Sequence, residues 1–405
     1  MNITIISNHY YPEDSGIGLY SAGMAEFLAR KHNVKVIAAT PYYPQWKIYA
    51  EYQNRALFNK EVVNGVEILR FKQYTPKTPT FMGRILQMTH FFMGSIINAF
   101  KIKKNDIVIV VMPFTISVVL GWIVKTIRGG KLWVHVQDFE FDAAFETGIS
   151  KKMGLFPKMI FGIERLVLNC ADFTSTISNG MLKKLTSKSN SEKFFFPNWI
   201  DFSKINPELA KPSPLFDRSN FNVLYSGNIG AKQDWDFFID FVVACKDIRK
   251  VHIHLVGEGA KRKEVVEGLK NCKNCSYHPP VRYEELNDLL CNADLHLLFQ
   301  KDTVIDTVMP SKILGMMASA KPSIVTGHHE SEIKSDFEIS QGGFYYSGSD
   351  KMAAITSQIK NLIENPSDCV ITGRNARKFI IEKYAMNIVL GQFQQDIEAI
   401  TNINY

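Results

Sequence analysis

Lysines placed beside glycine loops and helix starts are the residues of this chain best suited to chemistry, and what they suit is the holding of an anion. Residues 305–325, IDTVMPSKILGMMASAKPSIV, read as an extended stretch, a helix starting at Pro310-Ser311, and a strand from Ser323. Ser311 suits an N-cap, because its hydroxyl accepts a hydrogen bond from an orphan amide of the first turn. Those amides and the helix dipole form an anion seat, and Lys312 adds a charge beside it. Gly315 is out of place in a helix. It costs roughly 1 kcal/mol relative to alanine and implies a close approach there. Upstream, Gly227, Asn228 and Gly230 form a glycine loop followed by Lys232, and Gly257-Glu-Gly259 forms another. Such loops bind phosphate through backbone amides without a metal.

These features need elements to position them. A chain of 405 residues exceeds one ordinary core, so two domains are expected. Residues 1–39 read strand, glycine-bearing helix, strand, the opening of a parallel α/β sheet. The expected organisation is α/β, with residues 1–200 as the first domain and 201–219, carrying Pro207, Pro212 and Pro214, as a linker. Residues 220–380 form a second α/β domain, and 381–405 a C-terminal helix returning to the first. Two such domains set their strand ends across a cleft. A nucleotide diphosphate in the second, its reacting end toward the first, is the economical reading.

The first domain offers its own candidates. Gly16-Ile-Gly18 lacks the third glycine of a dinucleotide fingerprint, so backbone approach to a phosphate and a plain turn both stay open. Residues 131–136 form a strand that delivers Gln137-Asp138 to its C-terminal end, where ligands sit in open α/β sheets. Asp138, Glu140 and Asp142 crowd one loop. Residues 41–46, PYYPQW, are an aromatic loop fit to pave an acceptor groove. Residues 81–104 are an apolar helix ending in Lys101, Lys103 and Lys104, either a core helix or an interfacial one. Residues 107–124 lack charge but contain Pro113, and read as buried strand, loop and buried helix rather than a membrane span.

Metal chemistry is not favoured. Asp234-Trp-Asp236 stands where aspartate caps helix amides, and Cys272-Lys-Asn-Cys275 is a lone pair where zinc needs about four ligands. The six scattered cysteines and the absence of a signal-like start point to reduced thiols in the cytoplasm. Charge divides unevenly: residues 1–195 carry 24 Lys+Arg against 14 Asp+Glu, and the remainder 23 against 26. A basic half suggests an anionic partner. No nucleic-acid-binding motif is present, so the membrane surface is the preferred one.

In order along the chain, YYPEDSGIGLYSAGMAEFLA, HVQDFEFDAAFETG, FPNWID, YSGNIGAKQ, VGEGAKR and VMPSKILGMMASAKP resemble the family 4 glycosyltransferases of the GT-B fold. Among these, the chain looks like the bacterial colanic-acid-type fucosyltransferases. The resemblance implies two Rossmann-like parallel-sheet domains and transfer of a sugar, fucose for this subgroup, from a nucleotide diphosphate donor. It implies retention of configuration, no metal and no cofactor. It also implies a lipid-linked glycan acceptor at the inner face of the cytoplasmic membrane, in capsule or exopolysaccharide synthesis. Carried over, Gly16 and Gly18 approach the donor diphosphate and Lys232 neutralises it with Asn228, which replaces an arginine of many relatives. Gly227 belongs to that loop. Ser311 and Lys312 hold the distal phosphate, Asp306 grips sugar hydroxyls, and Asp138 orients acceptor or donor. The second acid of the family pair is Gly315 here, and the usual histidine before Asp138 is Gln137. Two other readings remain open: a sugar-nucleotide epimerase, separable by an acceptor-independent product, and a binding relative without turnover.

Overall fold

The computed structural model describes residues 1–13, 16–78, 80–139, 156–303 and 311–402, and the side chains of these except at 81, 156–158 and 311. The chain divides into two units, Met1–Pro197 with Leu390–Tyr405, and Asn198–Val389.

In the first unit eight strands are ordered β3-β4-β2-β1-β5-β6-β7-β8. Central β1 (Asn2–Ser7) pairs in parallel with β2 (Asn33–Ala39) and β5 (Ile107–Met112). Every residue of β5 is buried, as its unbroken β-branched run requires of a strand covered on both faces. β3 (Phe58–Val63) and β4 (Val66–Phe71) form the one antiparallel pair. Their turn, Asn64-Gly65, has φ of 48° and 81°, the two positive values a two-residue hairpin demands. The charge-free run resolves into β5 and a helix, Ile116–Arg128. A Cβ on Gly121 of that helix would stand 2.4 Å from Val110, so glycine lets helix and strand touch. No helix among the described residues is long and apolar enough to cross a membrane. β6 (Lys131–Val136), β7 (Phe173–Thr176) and β8 (Glu192–Phe195) complete the sheet.

The second unit carries six parallel strands, ordered β11-β10-β9-β12-β13-β14. β9 (Phe221–Ser226), β10 (Val251–Val256), β12 (Leu295–Phe299) and β13 (Ser323–Thr326) form its middle, with β11 (Cys275–His278) and β14 (Phe344–Tyr346) at the edges. Residues 201–219 differ from the expected linker. Ile205 and Phe216 enter this unit's core, and the amides of Asn206 and Lys211 donate to Asn287 and Asp288 at 2.7 and 2.8 Å. The prolines shape an arm whose apolar residues are bound down.

The last helix, Met386–Asn402, runs from one unit into the other. Phe393 stacks on Phe196 at 4.1 Å and meets Trp133 edge-on at 5.1 Å. Glu398 pairs with His32 at 3.0 Å.

Candidate active site

In the second unit the site grows from the C-terminal end of β9, where open sheets place ligands. Tyr225, fully buried, donates from its hydroxyl to the carbonyl of Asn228 at 2.8 Å. Lys312, on the helix Ser311–Ala318, reaches back to this point. Its Nζ donates to Tyr225 Oη at 2.8 Å and to the Asn228 carbonyl at 3.3 Å, and lies 4.6 Å from the Tyr225 ring. Lys312 as a residue is half-buried, and its ammonium packs against the Tyr225 ring. Desolvation therefore pushes it down from the usual lysine range to about 7. Among the described residues no carboxylate pairs with it, and a bound anion would supply a partner.

The glycine loops depart from the expected amide cradle. The amides of Gly227 and Ile229 donate to the carbonyls of Val256 and Glu258, each at 2.9 Å, and that of Gly230 to Gln233 Oε1 at 3.2 Å. A Cβ on Gly257 would stand 1.9 Å from the Gly227 oxygen. The glycines interlock two loops, and at Gly227 they make room for the Lys312 stem. Asn228 is exposed and contributes its carbonyl to Lys312.

Lys232 is exposed and joins no ion pair among the described residues. Its carbonyl accepts the Lys301 amide at 3.2 Å, which pins the loop over the end of β12. Asp234 caps the helix Trp235–Ala244 by accepting the Phe237 amide at 3.2 Å, the capping role expected of it. Ser311 is the first described residue of this helix, and the residues before it lie outside the described ones. Gly315 is half exposed, and the nearest atom to an added Cβ is Leu290 Cδ1 at 3.2 Å. Among the described residues no close backbone approach explains this glycine. Asp306, Glu140 and Asp142 lie outside the described residues.

In the first unit Asp138 follows β6 and is half-buried. Behind it runs a buried polar chain. Trp133 Nε1 donates to Ser175 Oγ at 2.7 Å, His135 Nδ1 is 2.9 Å from the same oxygen, and His135 Nε2 is 2.9 Å from Gln137 Nε2. With Gln137 donating, the imidazole proton sits on Nδ1 and goes to Ser175. Burial pushes His135 down to about 3, so it is a neutral core histidine.

Gly16 has φ of 55° with open space where a side chain would be, whereas Gly18 is covered. A Cβ on Gly18 would meet Glu13 Cβ at 2.8 Å, so Gly18 serves packing rather than a ligand. Glu13 is a residue the sequence reading missed. It is 2% exposed, accepts the amides of Tyr42 and Tyr43 at 2.9 Å each, and takes His9 Nδ1 at 2.8 Å. It thus ties the ends of β1 and β2 together. A lone acid among the aromatics of NHYYPE was the available signal. Tyr42 is buried in this knot, leaving Tyr43 and Trp46 as the partly accessible aromatics of residues 41–46.

Among the described residues, three metal-ligating side chains come within 4.8 Å of one another at His328, His329 and Glu330, consecutive and largely exposed after β13.

Residues 220–365 match the family model described as Glycosyl transferases group 1. Fold and domain together define the class: the chain is a nucleotide-sugar-dependent glycosyltransferase with two Rossmann-like parallel-sheet domains, the GT-B architecture. It is 29% identical over 413 residues to the colanic acid biosynthesis glycosyl transferase WcaI of Escherichia coli (strain K12), covering 98% of this chain and 100% of the relative. Among solved structures it is similar to sucrose-phosphate synthase from Thermosynechococcus elongatus, with TM-score 0.72, 13% identity and 100% of both chains covered. It is also similar to Anabaena HepE in complex with UDP-glucose, with TM-score 0.67, 14% identity, and 98% of this chain and 100% of that one covered.

Proposed function

We propose that this enzyme transfers a sugar, with GDP-fucose the expected donor, to a lipid-linked glycan during surface-polysaccharide assembly at the inner face of the cytoplasmic membrane. Transfer retains anomeric configuration and uses no metal. The observation that carries the reading is the Lys312 ammonium, held over Tyr225 at the end of β9 with no carboxylate partner among the described residues. A cation already desolvated gains most when a diphosphate arrives and when charge develops on it as the sugar leaves. Exposed Lys232, in the loop that follows β9, supplies the second positive charge. The polysaccharide setting is supported by the name of the WcaI relative, a colanic acid biosynthesis glycosyl transferase, and the membrane side by the basic first half of the chain.

The test is a thermal-shift series with GDP- and UDP-sugars, since a tight binder stabilises by mass action. Transfer of labelled sugar into a lipid fraction follows, with and without a chelator. GDP-fucose stabilisation and chelator-resistant labelling are expected. Product formed from donor alone would point instead to an epimerase, and binding without turnover to a non-catalytic relative.

A further inference from the structure

The helix Phe81–Phe100 buries one face and leaves the other bare. Gly94 seats it on β4, since a Cβ there would stand 2.4 Å from the Phe71 ring, and Gln87, Phe91 and Ala99 point the same way. On the opposite face Leu86, Met93 and Phe100 are 55%, 59% and 55% exposed, one below another at intervals of seven residues. The helix Ile116–Arg128 packs beside it and the helix Phe156–Leu168 beside that, adding exposed Trp122, Ile163 and Leu166. These three helices carry 11 of the 23 exposed large hydrophobic side chains among the described residues. Scattered exposed apolar residues are ordinary, whereas this concentration on one layer marks an interaction surface.

Among the described residues its charge is mainly basic, although Asp172 pairs with Lys125 at 2.7 Å. From residue 81 to 136 there are seven lysines and arginines and a single acid, Asp106, whose carboxylate accepts the Asn2 amide at 2.7 Å. Lys101, Lys103 and Lys104 stand exposed immediately after the first helix. The only acid of the third helix, Glu164, is buried and paired with Lys188.

We infer that this three-helix face docks on an anionic lipid bilayer. The apolar side chains enter the headgroup region while the lysines and arginines meet lipid phosphates. Charge selects the occupant. A second copy of the same face would oppose like charges, and an uncharged apolar partner would leave the basic rim unmatched. The inference rests on the membrane-side reading proposed above for its purpose, and on exposure and charge alone for its geometry.

The full-length protein is centrifuged with vesicles of phosphatidylcholine alone and of phosphatidylcholine with phosphatidylglycerol, at low and high salt. Sedimentation with the anionic vesicles, weakened by salt, is expected. The double variant Leu86→Glu/Met93→Glu should lower the bound fraction by about tenfold or more, with unchanged circular dichroism because both residues are exposed. Ile339→Glu, 72% exposed on the second unit, should bind as the parent does. Failure of the parent to bind anionic vesicles, binding unaffected by the double variant, or a dimer in light scattering that the double variant dissolves would each overturn the inference. Donor binding measured on the same samples separates the two readings. If it fails while vesicle binding holds, only the proposed transfer falls.

Discussion

Gly227 and Lys312 compete for one space: a Cβ built on the glycine would stand 2.3 Å from Lys312 Cε and 2.7 Å from its Nζ. The glycine also has φ of 135°, a conformation strained for other residues. Gly227→Ala should therefore lose roughly 1–3 kcal/mol of stability, and displace the ammonium from Tyr225. Calorimetry should record nucleotide-sugar affinity at least about tenfold weaker, a loss of about 1.4 kcal/mol. Parental affinity would show that the position of Lys312 does not matter.

Lys312 makes donor binding depend on pH. A nucleotide-sugar diphosphate has no proton to lose near neutrality, so the lysine sets the dependence. Burial alone puts Lys312 at about 7; a bound anion raises it, and binding takes up a proton above that pH. Affinity should be level below pH 7 and fall by up to about tenfold per unit above it. Titrations in buffers of different ionisation heat measure the proton directly.

The same shift has a consequence for the ligand-free fold. A lysine depressed on folding destabilises fully below the folded value, and the penalty fades as pH rises toward the unfolded value of about 10.4. Lys312→Met should accordingly raise the melting temperature at pH 6, by roughly 2–4 °C per kcal/mol recovered, while abolishing donor binding. A variant that binds donor normally would refute the role given to this cation.

Lys232 is exposed, and its fold contribution is its carbonyl. Lys232→Ala should leave the melting temperature unchanged and reduce turnover by about 10²–10³-fold, the range for removing one preorganised charge from a developing anion. Near-normal turnover of the purified variant would remove Lys232 from the site.

Gly315→Ala should stabilise the helix by up to about 1 kcal/mol, since only the movable Leu290 methyl lies within 3.2 Å of the new Cβ. Donor binding decides what the glycine is for. Unchanged affinity means the space is unused, and lost affinity means the nucleotide packs against it.

Acid should unfold the protein through its buried histidines. Burial holds His135, His254 and His296 each at about 3, with neighbouring His252 and His278 adding to the effect at His254. Below the ordinary value of about 6.5 the unfolded chain binds protons that the folded one refuses, so stability falls with pH from there. These three sites alone contribute up to about 4 kcal/mol per pH unit, readable as the pH dependence of urea midpoints.

Local pattern made much of this architecture legible. The β-branched run of β5, the Asn64-Gly65 turn and the cap at Asp234 each act through neighbours in sequence, so residue type and spacing sufficed. The positions of Lys232 and Lys312, after a strand end and at a helix start, were legible for the same reason.

Long-range placement was decided by the tertiary structure. Residues 201–219 looked like a linker because proline suppresses periodicity, yet Ile205 and Phe216 enter the core, and the amides of Asn206 and Lys211 find partners 81 and 77 residues further along the chain. Gly227 and Gly18 promised bare backbone for a phosphate. Folding instead gives the amide of the first to Val256 and the Cα face of the second to Glu13. Sequence alone determined that a cation stands at residue 312. Only the fold decided that it is enclosed, because desolvation depends on Tyr225 and Asn228, more than 80 residues away along the chain.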